Sequence, residues 1–174
     1  MKTSVVLTCI GPDRPGLVEA LARVVALHEG NWVESQMARL AGQFAGLLRV
    51  ELPQANAADL TQALEALESD GLRITVEATE TTESEAGQQL FRLSLVGRDH
   101  PGIVRDISRA LASRQVNVEA LETSVASAPE SGDPLFRATA SLVAPHSMSV
   151  EELRERLEEI ANDLMVDLEL ETSS

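Results

Sequence analysis

Two short stretches of this 174-residue chain combine residue types suited to holding a small zwitterion: Gly11-Pro12-Asp13-Arg14-Pro15-Gly16 and Gly97-Arg98-Asp99-His100-Pro101-Gly102. Each precedes aliphatic residues at helical spacing, so each reads as the turn from a strand into a helix. A helix start leaves backbone N–H groups unpaired and carries partial positive charge, which suits a small carboxylate. Asp13 or Asp99 would then meet an ammonium group, and the two charges together describe an α-amino acid. Gly11, Gly16, Gly97 and Gly102 let the backbone bend and let another group approach closely. Pro15 and Pro101 fit the first helical position, where a missing N–H costs nothing. The same residues also suit an ordinary helix start, with the aspartates capping it and the glycines turning the chain. Residue types alone leave both uses open.

The elements that must position these turns come in two copies. Gly11 to Val18 matches Gly97 to Val104 in register, 86 residues apart, and the match continues through Leu21 with Ile107, Arg23 with Arg109 and Asn31 with Asn117. Similarity that runs across a helix and beyond marks duplication of a whole unit rather than of a turn. In the first copy Leu17, Val18, Leu21, Val24, Val25 and His28 share a helical stripe, as do Leu60, Ala63, Leu64 and Leu67. Phe44 to Leu52 and Leu72 to Ala78 alternate as strands, with a hairpin turn expected at Ala41-Gly42. The second copy repeats the order. Ser149 and Glu152 form a capping box before its last helix, and Ser127 to Pro134 forms an enlarged loop carrying six extra residues. The expected fold is α+β: two tandem ferredoxin-like βαββαβ units, each an antiparallel sheet with helices on one face. The first spans residues 1–80 and the second 88–174, joined by an acidic linker at 81–87.

Composition narrows the function. The formal charge of −14 opposes a polyanionic partner, because nucleic-acid binding depends on Lys and Arg neutralising phosphates. Cys9, the single cysteine, lies in an apolar run and reads as a buried hydrophobe. His28, His100 and His146 are scattered without cysteine partners, so no metal spacing emerges and no metal or cofactor is expected. His28 reads as a helix-end residue, His100 as a tolerated polar position in its turn, and Trp32 as a packing residue. No nucleophile elbow, phosphate loop or HExxH motif is present, so no catalytic residue is expected. Neither a signal peptide nor an apolar run long enough to span a bilayer is seen, which points to a cytoplasmic chain without membrane attachment.

Asp13-Arg14-Pro15-Gly16-Leu17-Val18 followed by Asn31, and Asp99-His100-Pro101-Gly102-Ile103-Val104 followed by Asn117, resemble the ACT domain, and the resemblance covers nearly the whole chain twice. Among proteins built from ACT domains, a chain of two units and nothing more is most similar to the glycine cleavage system transcriptional repressors. The resemblance implies a non-enzymatic, amino-acid-responsive regulator that dimerises and contacts a DNA-binding transcriptional activator rather than DNA, with glycine the favoured ligand. It implies ligand binding by Gly11, Asp13, Gly16 and Asn31 and by Gly97, Asp99, Gly102 and Asn117, at a domain interface. The first turn also resembles the ACT unit of formyltetrahydrofolate deformylase, which offers an alternative: a regulatory or oligomerisation subunit of an amino-acid or one-carbon metabolic enzyme. The missing catalytic domain weighs against that alternative.

Overall fold

The computed structural model describes residues 1–79 and 87–173, so the expected linker falls outside the described residues except for Gly87. Contacts divide the chain into two compact units, Met1–Glu83 and Ser84–Ser174. In the first, strand β1 (Lys2–Pro12) leads to helix α1 (Leu17–Leu27), strands β2 (Asn31–Leu40) and β3 (Gln43–Pro53), helix α2 (Ala57–Glu65) and strand β4 (Arg73–Thr79). The second repeats this as β5 (Gln88–Arg98), α3 (Ile103–Ala112), β6 (Asn117–Ser127), β7 (Pro134–Pro145), α4 (Val150–Leu164) and β8 (Val166–Ser173). The sheet orders are β2-β3-β1-β4 and β6-β7-β5-β8, antiparallel throughout. This is the α+β, ferredoxin-like βαββαβ architecture expected from the sequence, twice over.

Period-two patterning decides which strand residues meet the helices. Val5, Leu7 and Cys9 of β1 pair in register with Val50, Leu48 and Gly46 of β3 and turn inward. There they pack with Leu17, Leu21 and Val25 of α1 and Leu60 and Leu64 of α2. The second core gathers Phe91, Leu93 and Leu95 with Ile103, Ile107 and Leu111 of α3 and Leu153 and Leu157 of α4. Cys9 is buried, as its apolar surroundings predict, and burial pushes its thiol pKa up.

The hairpins differ as the extra residues require. Ala41 and Gly42 both take positive φ, 49° and 78°, which joins β2 to β3 through a tight two-residue turn matching strand twist. Between β6 and β7 the loop closes instead through Ala128 N–H to Asp133 O at 2.8 Å and Gly132 N–H to Ala128 O at 3.0 Å. Ser149 caps α4, its hydroxyl accepting from Glu152 N–H at 3.3 Å.

The helices lie over the inner strands and leave β2 and β6, one edge of each sheet, exposed along most of their length. Unpaired N–H and C=O groups on a long, flat edge invite another strand. The apolar side chains here follow suit: Val104 of α3 and Leu121 and Val125 of β6 remain 42%, 49% and 54% exposed.

In the first unit the 3-10 segment that follows α2, Ala66–Asp70, ends in a left-handed residue, Gly71 (φ 86°), and in the second α4 itself ends in one, Met165 (φ 53°). A side chain in this conformation costs about 1 kcal/mol, and glycine is the usual resident. Met165 is exposed and contributes no core contact. Met165→Gly is therefore expected to stabilise the second unit by about 1 kcal/mol, readable as a higher denaturation midpoint at unchanged slope; an unchanged or lower midpoint would remove the strain argument.

Candidate functional site

Each candidate turn is built around two glycines with different duties. At Gly11 an added Cβ would lie 2.6 Å from Gly71 O, and at Gly97 it would lie 2.4 Å from Val166 Cγ1. These two glycines let the first strand of each unit pass tightly against the start of the last. Gly16 (φ 91°) and Gly102 (φ 101°) instead form the N-caps of α1 and α3 in a conformation that side chains resist. Neither helix start carries a side-chain cap.

Two sequence expectations are corrected at this point. Pro15 and Pro101 precede the N-cap rather than occupying the first helical position, because the left-handed glycine is itself the N-cap and the helix starts two residues after the proline. The aspartates do not cap. Their backbone N–H groups bond across to the β-hairpins, Asp13 to Gly42 O and Asp99 to Pro134 O, both at 2.9 Å.

The two carboxylates then part ways. Asp13 Oδ2 sits 3.0 Å from Arg39 Nε. Arg39 is opposite Phe44 in the β2–β3 register, and the residue opposite the equivalent Phe136 is Val125. With valine in the arginine's place, the Asp99 carboxylate has no hydrogen-bond or ion-pair partner among the described residues. The second turn thus presents a carboxylate held in no ion pair, its charge acting on the adjacent His100 ring, beside an uncapped helix start, and the first presents one already paired with a cation.

Arg14 and His100, at equivalent positions, do more than a tolerated polar residue would. Arg14 Nη2 donates to Asp70 O, immediately before Gly71. His100 Nε2 lies 3.0 Å from Leu164 O, immediately before Met165, and its Nδ1 lies 3.1 Å from Pro101 O. In both units a basic side chain of the turn meets the last carbonyl before the final strand, that of the 3-10 segment after α2 in the first and that of α4 in the second, where the negative end of the helix favours a cation. Nearby on α3, Arg105 Nε holds Asp106 Oδ1 at 2.7 Å, which lowers the Asp106 pKa.

Asn31 and Asn117 open β2 and β6 and are exposed. Within one unit they stand apart from the turn. Gly11 is opposite Phe44 and Asn31 opposite Glu51, seven residues along β3, while Gly97 and Asn117 are separated by the same seven residues between Phe136 and Val143 of β7. At about 3.4 Å per residue this is roughly 24 Å. The turn residues Gly97, Asp99 and Gly102 are brought together in one unit; the asparagine is not.

Between α3 and its sheet lies a small apolar cleft of about 40 Å³, lined among others by Val104, Ile107, Val118 and Leu121. The remaining candidates match their bland readings. His28 closes α1, with Nδ1 2.8 Å from Val24 O. Trp32 packs against the first core and donates to Ser35 Oγ at 3.1 Å. Among the described residues no group of three or more His, Cys, Asp or Glu is arranged to hold a metal, and no helix is long and apolar enough to cross a membrane.

Comparison with known proteins gives these units a family. The model of the ACT domain matches residues 3–79 and again 91–162. No curated protein sequence matches. A crystal structure of an unknown protein from Galdieria sulphuraria is similar over 100% of both chains, at 27% identity and a TM-score of 0.90. Another, provisionally assigned as a glycine cleavage system transcriptional repressor, is similar over 100% of this chain and 99% of its own, at 19% identity and a TM-score of 0.74, a likeness of fold. Carried by two matches that together span most of its length, the chain belongs to the ACT domain family, with two ACT domains in tandem.

Proposed function

We propose that this protein is a non-enzymatic, amino-acid-responsive regulator of the glycine cleavage repressor type, working in the cytoplasm through contact with a protein partner. ACT domains are regulatory modules, and the observation that carries the finer reading is the second turn. There the unpaired N–H groups of α3 offer a place for a ligand carboxylate, and Asp99, held in no ion pair, offers one for the ammonium. The ligand is a small amino acid, glycine by preference because that is what the family resemblance implies. The first turn is the weaker site, because a ligand ammonium there competes with Arg39 for Asp13.

A second copy of the chain completes the site. Two-fold antiparallel pairing of β6 with β6 sets the beginning of one strand against the end of the other, which carries Asn117 of one copy toward the turn of its partner. The exposed Leu121 and Val125 become covered in the same contact. The target of the regulation is a DNA-binding activator rather than DNA, in keeping with the charge of −14.

The test is thermal stability against a panel of amino acids that includes glycine and serine. At 100 times its dissociation constant a ligand contributes about 2.7 kcal/mol. Asp99→Asn is expected to remove most of that stabilisation and Asp13→Asn little of it. A panel without any shift, or a shift indifferent to Asp99, would overturn the reading.

A further inference from the structure

We propose that His100 is a positioning residue whose protonated ring bridges the second turn, at Pro101 O, to the end of α4, at Leu164 O, making that turn responsive to pH while the first, fastened by Arg14, is not. The geometry carries this. Both ring nitrogens of His100 face carbonyl oxygens, Leu164 O at 3.0 Å and Pro101 O at 3.1 Å, and a carbonyl only accepts. A neutral imidazole has one N–H and one lone pair, so one of the two contacts becomes a meeting of lone pairs. The imidazolium donates at both. Leu164 is the last residue of α4, and its carbonyl belongs to the negative end of that helix, which favours a cation further.

The charges around the ring act in the same direction. From its own turn Asp99 and from α3 Asp106 favour the protonated form, the latter held by Arg105 and influenced by Arg109. From α4 the facing group is the Leu164 carbonyl. Hydrogen bonding to Leu164 O and then Pro101 O raises the His100 pKa above its ordinary value, with slight desolvation opposing. A group whose pKa is raised on folding stabilises fully below its unfolded value, about 6.5 for histidine, and loses that contribution as pH climbs through the folded value. The tether is therefore closed in mildly acidic solution and loosens as the medium becomes alkaline.

The equivalent bond in the first unit has no such dependence. Arg14 donates to Asp70 O from a guanidinium that stays charged at any physiological pH. One chain thus carries the same fastening twice, once permanent and once titratable.

The bearing on ligand binding rests on the function proposed above, but the tether does not, and the experiment separates them. In the ligand-free full-length protein, the His100 ring is titrated by NMR, and exchange of the amides of Asp99 and Asp106 is followed across the same pH range after correction for intrinsic rates. The expected result is a titration displaced upward from that of a free histidine, with exchange at the second turn rising as the ring loses its proton and exchange at Asp13 showing no such step. His100→Gln should abolish the step, and His100→Arg should hold exchange at its low-pH level throughout. A His100 titration at or below the ordinary value, or a step that survives His100→Gln, would overturn the tether. If the step follows His100 and yet no amino acid stabilises the protein, the tether stands and the sensing function falls.

Discussion

Replacing Phe91 with alanine is expected to unfold the second unit and leave the first folded. Phe91 is 2% exposed, the largest fully buried side chain among the described residues, in a core that otherwise consists of aliphatic residues and one further aromatic, Phe136. Truncating a buried phenylalanine costs about 3–5 kcal/mol, comparable with the whole stability of a domain this size, at about 0.05–0.15 kcal/mol per residue. The first core shares no residue with the second. Calorimetry should therefore show the wild-type signal resolved into an early and an unchanged transition; a single transition that moves as a whole would show that the two cores melt as one.

The second large effect concerns Gly97. Alanine here places a Cβ 2.4 Å from Val166 Cγ1, 2.8 Å from its Cβ and 2.9 Å from its Cα, in a closely packed site at the base of the candidate turn. Overpacking of this kind costs about 1–3 kcal/mol. Because the nearest obstacle is a side-chain methyl, Val166→Ala should recover part of the loss, giving a favourable coupling of about 0.5–3 kcal/mol in a double-mutant cycle. Gly11 provides the contrast, since its added Cβ would meet the Gly71 carbonyl oxygen at 2.6 Å and no substitution removes a backbone atom. Urea denaturation of the single and double variants decides the matter: strict additivity at Gly97 would mean that the strain is absorbed elsewhere.

The fold was legible in the sequence because its signals are local or periodic. The 86-residue repeat, the alternation along β1 and β5, the Ala41-Gly42 turn and the Ser149 cap each depend on neighbours in the chain. The helical stripe led further than the packing does: Val18 and Val104 belong to it by spacing but stay partly exposed, because the helices stop short of covering β2 and β6.

The site was less legible because its contacts are distant. The cation at Asp13 comes from Arg39, and the anchors of Arg14 and His100 lie 56 and 64 residues away. One signal was available. Equivalent positions in the two copies are both basic, which suits a shared partner, whereas the change from Arg39 to Val125 breaks the pairing that would have made the two turns alike.

The two edges of the second sheet have unlike chemistry, and this bears on how far an assembly grows. Along β8 one face carries Asp167, Glu169 and Glu171, while β6 offers Leu121 and Val125 on one face and Glu122 on the other. Joining β6 of one copy to β8 of the next would set Glu122 beside the acidic row of β8, so a head-to-tail chain of sheets meets like-charge repulsion at its junctions. Joining β6 to β6 avoids the acidic row and uses up the adhesive edge on both partners. Under the β6–β6 pairing proposed above, association through this strand would be self-limiting, closing at two copies instead of propagating as a filament.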